Sequence, residues 1–231
     1  MISWRPDRMR IKAIAGLGVP AGMQMILESG VFWAATILAA QLTPIALGAH
    51  QIALGAAAFS FMVPLAMSSA GAVRVGQALG ARDRERARSA GWLAILVGGA
   101  FMLASATTFV VVPRAIMSAF TDDPAVIAVG VGLLRIAALF QLFDGLQVVA
   151  IGVLRGAGDT RTSMVTSLFA YWVVGLPLAW SLCFVAELGV DGLWFGLTGG
   201  LVCAAAVLVG TWARRSHGWI HGSAPGKPHA P

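Results

Sequence analysis

Apolar positions come in six long runs, 16–41, 46–72, 89–112, 126–152, 163–186 and 192–213, each separated from the next by a short polar break. A helix rises 1.5 Å per residue and the hydrocarbon core of a bilayer is about 30 Å thick, so about 20 mostly apolar residues cross it. Every run reaches that length. Hydrocarbon offers no water to an unpaired backbone, and an α-helix satisfies its own. The pattern therefore predicts an all-α integral membrane protein with six transmembrane helices. The first run follows a basic segment, as a secretory signal does, but it far exceeds the ~7–15 apolar residues of a signal core and five more runs follow. It reads as an uncleaved first helix.

Composition agrees: 58% of the 231 residues are hydrophobic and 11% charged, against about a quarter charged in soluble domains. The net charge of +6 raises the question of a nucleic-acid partner, and the positions of the basic residues argue against one. Apart from Arg114 and Arg135, all of them fall before run one, after run two, after run four or after run six. With six crossings these breaks share one face. Basic loops stay cytoplasmic, so the charge pattern predicts both termini inside and a multi-pass protein of the cell (inner or plasma) membrane. Residues 1–14 form a basic cytoplasmic lead-in, 15–213 the six-helix region, and 214–231, rich in Gly, Pro and His, a disordered cytoplasmic tail. The stretch "RVGQALGARDRERARSAG" mixes both charge signs with helix formers and predicts a short interfacial helix. Gly152 with Gly156, and Gly196 with Gly200, have the spacing of small-residue helix contacts. Cys183 and Cys203 lie within apolar runs and read as buried hydrophobes.

Two carboxylates interrupt the apolar runs near their middles, Glu28 in the first and Asp144 in the fourth. Insertion of an Asp at a helix centre costs roughly 2.5–3.5 kcal/mol, and intramembrane ionisable groups mark transport or proton paths by default. Gln24 lies one turn before Glu28, with Phe32 one turn after. Gln141, Asp144 and Gln147 recur at intervals of three, with Phe140 one turn before the acid. These residues together suit a site that holds a proton or small cation beside apolar rings; Na⁺ at Glu28 and Asp144 is one such occupant. Protonated packing groups satisfied by the glutamines are the alternative. Arg135 is placed to snorkel to the outer interface, and His50 reads as structural. "GAGDTR" (156–161) lacks both the preceding strand and the third glycine of a nucleotide loop. No metal, nucleophile-elbow or other enzyme signature is present, so neither an enzyme activity nor a cofactor is expected.

Five stretches, "GVPAGMQMILESGVF" (18–32), "GAHQIAL" (48–54), "GAVRVGQALGARD" (71–83), "QLFDGLQVVAIGVLRGAGDTR" (141–161) and "YWVVGLPLAW" (171–180), resemble the C-terminal lobe of the NorM-like branch of the multidrug and toxic compound extrusion family. They follow the family's order. The resemblance implies one six-helix lobe of a two-lobed exporter of cationic or amphiphilic aromatic compounds, driven by inward H⁺ or Na⁺. It implies a cation site at Glu28 and Asp144. Some members carry a Tyr four residues before the Asp; here that position is Phe140, which removes one oxygen ligand and bears on Na⁺ more than on H⁺. The chain resembles half of such a transporter, so the resemblance implies a partner: an N-terminal lobe or a second copy. Two alternatives stand beside this reading, a truncated non-transporting remnant or assembly partner, and an intramembrane enzyme using Glu28 and Asp144 as acid and base.

Overall fold

Polar side chains at the breaks start the helices. Thr43 accepts from the amide of Ala46 at 3.1 Å, Asp83 from that of Arg86 at 2.9 Å and Asp123 from that of Ala125 at 2.8 Å. Each satisfies a first-turn N–H that no helical carbonyl reaches. In the computed structural model, which describes residues 8–221, these caps open α2 (Pro44–Gly80), α3 (Arg84–Val111) and α5 (Pro124–Gly156). The first helix, α1, is Arg8–Ala40, and a short α4 covers Pro113–Ser118. The fifth membrane segment is composite: α6 (Arg161–Ser167), a π-helical stretch Leu168–Gly175, α7 (Leu176–Trp180) and a second π-helical stretch Ser181–Val185. The last helix, α8, is Gly189–His221.

Among the described residues, six segments, Ile14–Ala40, Pro44–Gly80, Arg84–Val111, Pro124–Gly156, Arg161–Val185 and Gly189–Trp219, are long and apolar enough to cross a membrane. The expected all-α architecture with six spans is what the chain adopts.

Three expectations about the breaks change. No separate interfacial helix forms between the second and third spans: α2 continues to Gly80, Arg82 turns the chain with a left-handed φ of 60°, and α3 starts at once. The lead-in is helical from Arg8 onward and continuous with the first span, while residues 1–7 lie outside the described region. At the other end α8 runs through 214–221, the first residues of the expected tail, and 222–231 lie outside the described region. The reason is a contact that run length does not reveal. Arg215 Nη1 donates to Asp159 Oδ2 at 2.9 Å and Arg215 Nη2 to the Ala157 carbonyl at 3.1 Å, tying α8 to the turn between α5 and α6.

α5 is the central helix, packed against α2, α3 and α8, while α1 leans on α6 and the following π-helical stretch. The α2–α5 approach is close because both contact residues of α5 are glycines: a Cβ at Gly152 would stand 2.2 Å from the Ser68 carbonyl oxygen, and one at Gly156 2.4 Å from that of Ala72. Gly196 and Gly200 do the same for α8, against Ala179 and the Ala170 carbonyl. Both predicted small-residue faces are therefore contact faces, where van der Waals packing replaces the hydrophobic drive that lipid does not supply. In the connection between the third and fourth spans, α4 tucks Met117 fully into the protein against Gly130.

Candidate functional site

α1 and α2 are joined by a short turn at residues 41–43, and a cleft of about 410 Å³ opens between α1, α2 and α5. Gln24, Glu28 and Phe32, one turn apart on α1, line one wall; Phe140 and Asp144, one turn apart on α5, line another; Ala57 and Phe61 of α2 close the third. The i, i+4 spacing seen in the sequence is what puts each set on one helix face. Glu28 is partly buried, and Gln24 and Asp144 are buried.

Gln147 joins the two acids. Its Nε2 donates to Glu28 Oε1 at 2.9 Å and to Asp144 Oδ1 at 3.4 Å, while Gln24 Nε2 donates to Glu28 Oε2. The two mid-span carboxyls, 116 positions apart in the chain, thus share one amide across the cleft. When both are ionised they repel, and a proton or cation between them relieves the repulsion. Among the described residues no three His, Cys, Asp or Glu side chains converge as metal ligands. Arg155 lines the same cleft on α5, eleven residues, or about 16 Å, past Asp144 along the helix.

Gln141 goes elsewhere. Its Oε1 accepts from Ser105 Oγ at 3.0 Å and from Ser60 Oγ, so it ties α5 to α2 and α3 and does not line the cleft. A step of three residues turns a helix by about 300°, so Gln141 and Gln147 diverge by about 120° although each is near Asp144. Phe140 packs edge-on against Phe32, with ring centroids 6.0 Å apart, and against Trp194 of α8 at 5.2 Å. Arg135 is exposed on α5, and no acid among the described residues pairs with it.

His50 is fully buried near the start of α2, where Trp194 Nε1 donates to its Nδ1 at 3.2 Å and its Nε2 lies 3.1 Å from Thr36 Oγ1. Thr36 in turn donates to the Phe32 carbonyl at 3.0 Å. The directions fit one arrangement, in which a neutral ring with its proton on Nε2 accepts from Trp194 and donates to Thr36. These hydrogen bonds fasten the C-terminal half of α1 to α2 and α8.

Sequence reasoning missed Tyr171. It is the single tyrosine of the chain, and it is buried in the π-helical stretch near Gln147, Glu28 and Asp144. Its rarity was the one available signal, because a 3.6-residue period does not track a π-helical turn.

The MatE family model matches residues 20–181. The probable multidrug resistance protein NorM of Deinococcus radiodurans is 46% identical over 211 residues, covering 89% of this chain and 47% of that protein. The protein of the same name from Pseudomonas aeruginosa is 45% identical over 206 residues, with 87% and 42% covered. The chain thus spans about half the length of the curated relatives it matches. Among solved structures, the outward-facing conformation of a multidrug resistance MATE family transporter superposes with a TM-score of 0.87 at 19% identity, over 95% of this chain and 49% of that one. The eukaryotic MATE transporter AtDTX14 superposes with a TM-score of 0.80 at 22% identity, over 89% and 47%. Both share the fold.

Proposed function

This chain belongs to the MatE family, the multidrug and toxic compound extrusion family that its sequence resembles, and from that membership we propose that it is one lobe of a cation-coupled antiporter exporting cationic or amphiphilic drugs and xenobiotics. One observation carries the reading: Glu28 and Asp144 come together through Gln147 on the wall of a cleft faced with Phe32 and Phe140. Aromatic rings and a carboxylate are the groups that attract a flat organic cation. The same carboxylates bind H⁺ or Na⁺, so drug and ion compete for one charge. An ion arriving from outside neutralises the pair and releases the drug; loss of the ion to the cytoplasm restores the site. A ligand shifts a two-state protein only through different affinities for the two states, and competition for one site provides that difference.

Reorientation needs a second body. In this reading the lobe works against another six-helix lobe, an N-terminal lobe or a second copy, in the inner or plasma membrane with both termini cytoplasmic. The half-length match to the NorM relatives supports it. The family relatives are multidrug resistance transporters, which supports transport over the enzyme alternative.

The test is reconstitution of the chain in liposomes loaded with a pH dye or a Na⁺ indicator, with an ethidium gradient imposed. H⁺ or Na⁺ counterflow identifies the coupling ion, and Glu28→Gln and Asp144→Asn are expected to abolish it. Where the chain alone does not exchange, ethidium binding is read by fluorescence polarisation, and the double variant is expected to weaken it at least about tenfold, or 1.4 kcal/mol. Exchange or binding that survives both substitutions in a folded protein overturns the assignment.

A further inference from the structure

Phe32 and Phe140 line the cleft, whereas Thr36, His50 and Trp194 stand behind it. The five side chains nevertheless form a closed circuit through four helices. Phe140 of α5 packs against Phe32 of α1 with ring centroids 6.0 Å apart and against Trp194 of α8 at 5.2 Å. Trp194 meets the imidazole of His50 on α2 edge-on at 5.8 Å and donates to its Nδ1 at 3.2 Å. His50 Nε2 reaches Thr36 Oγ1 at 3.1 Å, and Thr36 donates at 3.0 Å to the carbonyl of Phe32, where the circuit began.

Trp194 and His50 are fully buried, so the indole N–H needs an acceptor and the imidazole N–H needs one too. A neutral imidazole with its proton on Nε2 serves both ends, accepting from Trp194 and donating to Thr36. The indole is lopsided. Turning it over takes its N–H off Nδ1 and brings a different edge against Phe140, so the bond to His50 selects one setting of the indole. The indole in turn backs Phe140 from the side away from Phe32.

We propose that His50, acting through Trp194, sets the Phe140 ring against Phe32 as an aromatic face for flat organic cations, and that this setting determines the preference of the cleft for them over compact cations without rings. His50 is a positioning residue, since it does not line the cleft. The carboxyls of Glu28 and Asp144 attract any cation. A ring rewards only a ligand that presents charge or a flat face to it at the right angle. Charge thus selects cations as a class, and the circuit selects among them by shape. This deepens the reading of the cleft as a cation site and rests on it.

The full chain in lipid nanodiscs is titrated with ethidium, followed by fluorescence polarisation, and with tetraethylammonium, followed by its displacement of ethidium. His50→Phe keeps a ring in place and removes the acceptor. It is expected to lower the preference for ethidium over tetraethylammonium about tenfold, the worth of one cation–ring contact. His50→Asn, whose amide oxygen is attached where Nδ1 was, is expected to recover it. Weakening of both cations alike, as a loosened fold produces, overturns the proposal, and so does an equal loss of preference in the two variants. A second measurement leaves His50 native. The other histidines are His217, His221 and His229; with these replaced by Gln, ¹⁵N-histidine labelling reports His50 alone. Ethidium is expected to shift the Nδ1 resonance and tetraethylammonium to leave it in place; no shift, or the same shift with both, overturns the proposal. The two readings fail separately. Ethidium binding that is lost in Glu28→Gln/Asp144→Asn and keeps its preference in His50→Phe removes the aromatic circuit and leaves the cation site. Binding that survives the carboxyl substitutions and loses its preference in His50→Phe does the reverse.

Discussion

Gly152→Ala adds one methyl group at the tightest point between α2 and α5. The new Cβ would lie 2.2 Å from the Ser68 carbonyl oxygen and 2.3 Å from its Oγ, where a carbon and an oxygen normally stand about 3.3–3.6 Å apart. The obstacle is helix backbone, which cannot rotate away, so the two helices must part by about 1 Å locally. Overpacking of this kind costs about 1–3 kcal/mol. Gly132→Ala is the matched control: it is on the same helix, and nothing lies within 4 Å of its added Cβ. Both variants gain the same helix propensity, about 0.5–1 kcal/mol, so the difference between them isolates the contact. At about 2–4 °C per kcal/mol for a chain of this size, Gly152→Ala should melt about 2–12 °C below Gly132→Ala. The free thiols of Cys183 and Cys203 allow the melt to be followed in detergent with a thiol-reactive fluorophore. α2 and α5 are also two walls of the cleft, so ethidium binding should weaken in parallel. Equal melting temperatures for the two variants would show that the helices do not touch at Gly152 and would refute the packing account.

Two further outcomes are expected. Arg215→Ala should cost about 0.2–1 kcal/mol, as a half-exposed ion pair does, and speed hydrogen exchange in the turn at Gly158; Asp159→Ala should cost more, because the Thr162 amide and hydroxyl also bond to that carboxylate, and a double-mutant cycle should return a favourable coupling between the two. In cells, with Cys183 and Cys203 replaced by Ser, a Cys at Asp122 or Glu187 should react with an impermeant maleimide and one at Glu85 should not; the opposite pattern would invert the proposed topology.

The span count, the helix type and the identity of the two mid-span acids were legible in the order of residues because they depend on local quantities. Run length against bilayer thickness, and the cost of a charge in hydrocarbon, need no knowledge of neighbours. The glycine pairs were legible for the same reason, since Gly152/Gly156 and Gly196/Gly200 each lie on one face whatever that face meets. Which glutamine serves the acids was not. Gln141 and Gln147 are equally spaced from Asp144 along the chain, and only the arrangement of α2, α3 and α1 around α5 sends the first to Ser60 and Ser105 and the second to Glu28. Tyr171 was hidden because a π-helical turn breaks the period on which the reading depended, and the helical continuation of α8 past Ala213 was hidden because it rests on Arg215 reaching Asp159, 56 positions away in the chain. Local spacing determines what a residue is able to face; only the packed helices decide which partner is there to meet it.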